Sequence, residues 1–284
     1  MPEGPEMRRA ADRIARVVAG RTIEQVWFAF DHLTPHEAAL TGQRVRDVAT
    51  RGKALLIHFD NDWSIYTHNQ LYGRWYVQGV GQRPKTGRQL RLLLETDRKA
   101  ALLYSASDIE VWPTERLHEQ RFISRVGPDL LSDGVGVEQV LERLRDRRFR
   151  NRQLAGLLLD QSFLAGIGNY LRADMLFEAR IHPSARTSDL AEGSQEILAE
   201  AIVNIIRRAY RTAGVTNDPE RVERLKAKGI RRNAFRHLVY DRAGEPCYEC
   251  GRPVDCVALG GRKIYYCDTC QDEGRRRPSS RRRR

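Results

Sequence analysis

Two groups of residues in this 284-residue chain have types and spacings that could do chemistry. Cys247, Cys250, Cys267 and Cys270 read C-x2-C-x16-C-x2-C. Two tight knuckles of this kind can turn four thiolates toward one tetrahedral zinc ion, and thiolates so spaced need a soft cation. Two disulfides are the competing reading. However, Pro2, Glu3 and Gly4 follow Met1 with no apolar run of the secretory kind. A reducing cytoplasm is therefore expected, and with it one structural Zn2+. The metal is either a purely structural knot or a staple that holds a hairpin loop against a ligand. Sixteen residues between the pairs suffice for a β-hairpin, and Leu259-Gly260-Gly261-Arg262 supplies its turn. Cys256 lies between the pairs, matches no ligand position and is read as passive.

The second group is at the start of the chain. Pro2 follows Met1, and a small second residue permits removal of that Met, which leaves a secondary amine. An α-amino group has a reference pKa of about 8 against about 10.4 for Lys, so more of it is neutral at pH 7. Such an amine can attack a sugar C1′ and form an iminium, and Glu3 stands beside it to move protons. The simpler alternative is that Pro2-Glu3-Gly4-Pro5 is only a helix-entry turn. On either reading a helix should run from Glu6 to Ala19. It would bury Met7, Ala10, Ala11, Ile14, Val17 and Val18 on one stripe and stop at Gly20.

The elements that must position these groups fall into three regions. Residues 22–112 read mainly as short strands, among them Ile23–Phe30, Arg44–Val48, Leu55–Phe59 and Ala100–Tyr104. Turns fall at Asp60-Asn61-Asp62 and Gly79-Val80-Gly81, the pattern of a β-sandwich. A linker at 126–136 carries Gly127-Pro128-Asp129 and Ser132-Asp133-Gly134. Residues 137–212 read as helical, with Leu154, Leu157, Leu158 and Gln161 keeping one helix period. A polar stretch, Asn217 to Asn233, leads to the cysteine hairpin. No apolar run approaches a membrane span, and a hydrophobic fraction of 41% suits a soluble protein. The net charge is +12, but Arg275–Arg284 holds seven arginines without an acid, and removing them leaves +5. That tail is expected to be disordered, and the remainder leans toward a phosphate-bearing partner.

Other motifs stay open when taken singly. Gly166-Ile167-Gly168-Asn169 either aims backbone N–H groups and a helix start at a phosphate, with Asn169 as cap, or is an ordinary packing turn between helices. Lys53 alone reads as a surface lysine. His68-Asn69-Gln70-Leu71-Tyr72-Gly73 either wedges into a duplex or closes a hairpin onto a core.

The order of these motifs resembles the formamidopyrimidine-DNA glycosylase/endonuclease VIII family over residues 1 to about 271. The stretches Val26–Phe30, His68–Gly73, Tyr104–Glu110 and Arg148–Gln153 are similar to the bacterial endonuclease VIII branch of it. The resemblance implies an α+β multidomain fold. An N-terminal catalytic helix and β-sandwich (1–125) would be followed by the linker (126–136) and a helical DNA-binding domain with a helix–two-turns–helix motif (137–237). A four-cysteine zinc-finger β-hairpin (238–271) and the tail (272–284) would complete it. It implies a DNA glycosylase/AP lyase of base excision repair that excises oxidised pyrimidines and cuts by β,δ-elimination. Pro2 would be the Schiff-base nucleophile and Glu3 the proton carrier, with Glu6 ordering the site. Lys53 would assist β-elimination, and Arg262 would bind phosphate for the δ step. Gln70, Leu71 and Tyr72 would fill the gap left by the extruded base, while Arg125 and Asn169 would grip the backbone. The implied partner is double-stranded DNA carrying damaged bases or abasic sites, met by a monomer in the bacterial cytoplasm, at the nucleoid. Two alternatives remain: the same chemistry on oxidised purines or formamidopyrimidines, and a non-catalytic, zinc-containing DNA-damage binder. Asp174 replaces the Glu usual in this branch, and Asn217 to Asn233 replaces a variable loop near the base pocket.

Overall fold

The computed structural model describes residues 2–274. Met1 and the tail from Arg275, the subjects of the expected methionine removal and disorder, lie outside the described residues. The fold divides after Val126 into two compact units.

The first unit begins with α1 (Gly4–Val18), whose Pro5 sits in the first turn, where a missing N–H costs nothing. Its buried stripe includes the six expected apolar residues. There follow β1 (Gln25–Phe28), α2 (Pro35–Leu40), β2 (Val45–Arg51), β3 (Ala54–Phe59), β4 (Trp63–His68), β5 (Arg74–Gly79), β6 (Leu90–Glu95), β7 (Lys99–Tyr104) and β8 (Asp108–Pro113). The strands form two four-stranded antiparallel sheets, ordered β1-β6-β7-β5 and β2-β3-β4-β8. Ile57 and Ile65 of one sheet, Leu92 and Leu103 of the other, and Ile14 of α1 share one buried cluster, so the strands make a sandwich with α1 packed into it. Register sets the site. Ala54 pairs with His68 and His68 with Asp108, which brings Lys53, His68 and Asp108 to one end of a sheet.

The second unit contains α3 (Val137–Arg145), α4 (Leu154–Leu157), α5 (Asn169–Glu178), α6 (Glu192–Arg211), α7 (Pro219–Ala227), α8 (Arg232–Phe235) and the hairpin β9 (Asp255–Leu259) and β10 (Arg262–Tyr266). Two expectations fail in instructive ways. The helix period through Gln161 is cut short at Leu157. The Asp160 carboxylate accepts the Ser162 N–H at 2.8 Å, offering the backbone a turn in place of another helical bond. The polar stretch after Asn217 is not merely a connection. Asp218 caps α7 by accepting the Arg221 N–H at 2.8 Å, and Val222 packs with Val215 and Phe235. The hairpin residues Val254, Ile264 and Cys267 belong to the same buried cluster as Leu144, Leu171 and Ile202 of the helices. The finger is thus built onto the helical core. Among the described residues no helix is long and apolar enough to cross a membrane.

Candidate nucleic-acid interface and metal centre

In the first unit a cavity of about 550 Å³ is lined by Pro2, Glu6, Arg13, Leu71, Tyr72 and Arg88, among others. Glu3 is the N-cap of α1 and only 4% exposed. Its backbone N–H donates to Glu6 Oε2 at 3.1 Å. Glu6 therefore fixes the entry to the helix, and with it the direction in which Pro2 leaves. Lys53 follows Gly52 in the turn between β2 and β3. Burial, and then the nearby Lys53 charge, hold His68 below its ordinary pKa. The neutral ring accepts the Gln70 N–H on Nδ1 at 3.1 Å and packs on Phe122 with centroids 5.4 Å apart.

The loop beyond β4 is held at its base and bare at its tip. Gln70 adopts a positive φ of 49°, and its Oε1 accepts from Ser107 Oγ at 3.1 Å. Gly73 closes the turn by donating to the Asn69 carbonyl at 2.8 Å, so closely that a Cβ there would lie 2.6 Å from that oxygen. Arg88 donates to the Tyr72 carbonyl. Leu71 and Tyr72 are left 58% and 68% exposed. Nearby, burial and then the charge of Glu110 raise the Asp108 carboxyl. Arg125 is exposed near the end of this unit and is not among the residues lining the cavity.

In the second unit the sulfur atoms of Cys247, Cys250, Cys267 and Cys270 all lie within 4.8 Å of one another. The pairs Cys247–Cys270 and Cys250–Cys267 are 3.9 and 3.5 Å apart. A tetrahedron of Zn–S bonds of about 2.3 Å has an edge of about 3.8 Å, so the set fits zinc and is too open for a disulfide. The Arg252 backbone N–H is the chief reason that Cys250 is pushed down to about 7. Burial pushes Cys267 and Cys270 up. A cation is what would let all four ionise together. Cys256 sits on β9 opposite Tyr265, away from the cluster.

The hairpin turns through Gly260 and Gly261, at φ 64° and 77°, as a two-residue loop requires. Arg262 is exposed at the start of β10. Asn169 does not cap α5. Gly168 holds that place, and Asn169, the first helical residue, donates Nδ2 to the Lys263 carbonyl at 3.1 Å. The Gly166 N–H is likewise taken internally, by Gln161 Oε1 at 3.1 Å.

Comparison with known proteins bears on the whole chain. The model of the formamidopyrimidine-DNA glycosylase N-terminal domain matches residues 1–107, that of the formamidopyrimidine-DNA glycosylase H2TH domain residues 126–219, and that of a zinc finger found in FPG and IleRS residues 244–272. The chain is 47% identical over 271 residues to Endonuclease 8 of Pectobacterium carotovorum and equally so to that of Escherichia coli. Each match covers 95% of this chain and 100% of the relative. This chain belongs to the formamidopyrimidine-DNA glycosylase/endonuclease VIII family. Its fold also matches Lactococcus lactis Fpg (MutM) solved in complex with DNA containing N7-benzyl-Fapy-dG. The TM-score is 0.78 at 20% identity, covering 95% of this chain and 99% of that one. Endonuclease VIII-type and Fpg-type enzymes are DNA glycosylases with AP lyase activity, and the four-cysteine finger is the metal site of this family member.

Two buried groups of this glycosylase escaped the sequence reading of roles. Asp174 Oδ1 accepts the N–H groups of Val239 and Tyr240 at 2.9 and 3.1 Å. Its Oδ2 accepts from Thr216 Oγ1 and lies 3.3 Å from His237 Nδ1. Burial pushes this carboxyl up, but hydrogen bonding and charge from His237, with the Thr216 and Val239 bonds, outweigh it and leave the pKa lowered. Asp174 thereby ties α5 to the chain that leads into the finger. Arg172, in the same helix, is 0% exposed. Two charged residues, Arg172 and Asp174, inside the mainly apolar run from Tyr170 to Phe177 were the available signal, because buried charges demand partners.

Proposed function

We propose that this chain excises oxidised pyrimidines from duplex DNA and cuts the strand on both sides of the vacated sugar. The observation that carries this reading is the pairing, within one unit, of a cavity walled by Pro2 and Glu6 with a loop that holds Leu71 and Tyr72 out in solvent. C1′ is unreachable inside a stacked duplex, so the damaged nucleotide must be flipped out. Unstacking costs a few kcal/mol, and Gln70, Leu71 and Tyr72 entering the gap offset part of it. The Pro2 nitrogen then bonds to C1′ as the bond from C1′ to the base breaks. Two protons are taken up, one by the departing base and one by O4′ as the sugar ring opens. One comes from the Glu3 carboxyl, and the other is the N–H proton that Pro2 loses, relayed through Glu3. The product is an iminium joining Pro2 to C1′. It acidifies C2′–H. Loss of that proton, assisted by Lys53, breaks the C3′–O bond and expels the 3′ phosphate with its electron pair. Loss of a second proton, from C4′, breaks the C5′–O bond and expels the 5′ phosphate, with Arg262 neutralising its charge. Water hydrolyses the iminium, which restores the amine and leaves a one-nucleotide gap. Arg125 and Asn169 hold the DNA backbone in this scheme.

Bound by four thiolates, zinc has no open coordination position, so what it supplies is a rigid mount for the hairpin. Such a substrate places the protein in the bacterial cytoplasm, at the nucleoid. Cleavage of duplexes carrying one thymine glycol or one 8-oxoguanine tests the reading. Faster cutting at thymine glycol, leaving phosphate at both ends of the gap, is the expected result. Faster cutting at 8-oxoguanine would move the enzyme to purine lesions, and tight binding without cutting would make it a damage sensor.

A further inference from the structure

Arg172 lies in α5, where Tyr170 to Phe177 are all buried. Its side chain is nonetheless spent on carbonyl groups of two other elements. Nη1 donates to the carbonyl of Ala155 in α4. Nη2 reaches the Lys263 carbonyl at 3.0 Å and the Arg262 carbonyl at 3.4 Å. One planar guanidinium thus joins α4 to the first two residues of β10, a geometry that a single ammonium cannot reproduce. The hairpin tip is seated on α4 by a second contact. A Cβ at Gly260 would lie 2.9 Å from Gly156 Cα and 3.0 Å from Gly156 N. Asn169 adds a further bond to the Lys263 carbonyl at 3.1 Å. The Arg262 side chain is exposed, while its own carbonyl and its neighbour's are gripped from beneath.

We infer that Arg172 is a positioning residue for Arg262: it locks the hairpin tip onto α4 so that the Arg262 guanidinium meets the phosphate that leaves in the second elimination. The inference rests on the role proposed above for Arg262. A shift of about 1 Å in a positioning group can cost about a hundredfold in rate, so a tip released from α4 should lose the δ step selectively.

The test is single-turnover cleavage of an abasic-site duplex, scoring one-elimination and two-elimination 3′ ends separately, with borohydride trapping and zinc content alongside. In Arg172→Met the two-elimination product should fall about tenfold or more, with trapping within about threefold of wild type and one zinc per chain retained. Arg172→Lys should fall between the two, and Arg172→Met should add nothing to Arg262→Ala. Gly260→Ala, at the surface turn, should give the same split and serves if Arg172→Met does not fold. Normal second elimination in Arg262→Ala would overturn the role of Arg262 and the inference with it. Loss in Arg262→Ala, but not in Arg172→Met or Gly260→Ala, would overturn the positioning role alone. So would an equal fall in trapping and both eliminations in those variants.

Discussion

The loop from Asn69 to Gly73 and the hairpin tip from Leu259 to Arg262 both hold in solvent side chains for which we propose roles on DNA, and they are anchored in opposite ways. The loop is tied by individual hydrogen bonds to His68, Ser107, Asn69 and Arg88, most of them neutral. Such bonds are worth about 1 kcal/mol each. The tip rests on a four-thiolate centre, a buried guanidinium and Ile264 in the helical core. In the proposed roles, a wedge that slides between bases tolerates a yielding mount, whereas one charge that meets one phosphate does not.

The strongest way to break this contrast is to remove the metal. Chelation, or Cys267→Ser, should cost about 10 kcal/mol or more of local stability at the finger. Strand cleavage should fall below detection in a gel assay, while hydrogen exchange in the first unit stays unchanged. Full cleavage by a zinc-free preparation would show that the tip does not need its staple. Next in size is Leu71→Ala. Because this side chain is 58% exposed, the melting stability should change by no more than about 0.5 kcal/mol. Excision of thymine glycol should nevertheless fall about tenfold, equivalent to about 1.4 kcal/mol of lost wedging. An unchanged excision rate would remove Leu71 from the wedge. Gly73→Ala sharpens the same side of the comparison, since its Cβ would crowd the Asn69 carbonyl at 2.6 Å. A loss of about 1–3 kcal/mol is expected in denaturant melts, with exchange accelerated around the loop and not at the finger.

The smallest effect concerns acidity. Burial and then the Lys53 charge lower the His68 pKa, so the neutral ring is favoured in the folded state. Its contribution is complete above the unfolded value of about 6.5 and is lost as the pH falls from there through the lowered folded value. Protonation also removes the Nδ1 acceptor of the Gln70 N–H, so exchange at Gln70 should quicken over that window. A flat profile, or one matched by the finger, would separate His68 from the loop's mounting.

Legibility followed the range of the interactions. The cysteine knuckles, the Gly260-Gly261 turn and α1 could be read because their determinants lie within a few residues of one another. Helix α7 was missed because one apolar stripe, marked by Val222, is hidden among charges, and its Asp218 cap passed for loop chemistry. The Asn169 amide was expected at a helix cap and a phosphate, but it answers to a carbonyl 94 residues away. Arg172 is the extreme case, with partners 17, 90 and 91 positions distant on two other elements. Only folded geometry shows such a residue reaching toward the tip. For Leu71 and Tyr72 the residues alone left a wedge and a core-closing hairpin open, and their exposure, which decides between the two, depends on how the strands around them are placed.

The claim on which the account depends is that the Pro2 nitrogen is the nucleophile. Untagged protein is incubated with a thymine glycol duplex in the presence of borohydride, and the trapped adduct is digested and mapped by mass spectrometry. The account predicts one reduced adduct, on an N-terminal peptide that begins at Pro2 and lacks Met1. An adduct on Lys53 or another lysine, or efficient cleavage with no trapped species, would contradict it.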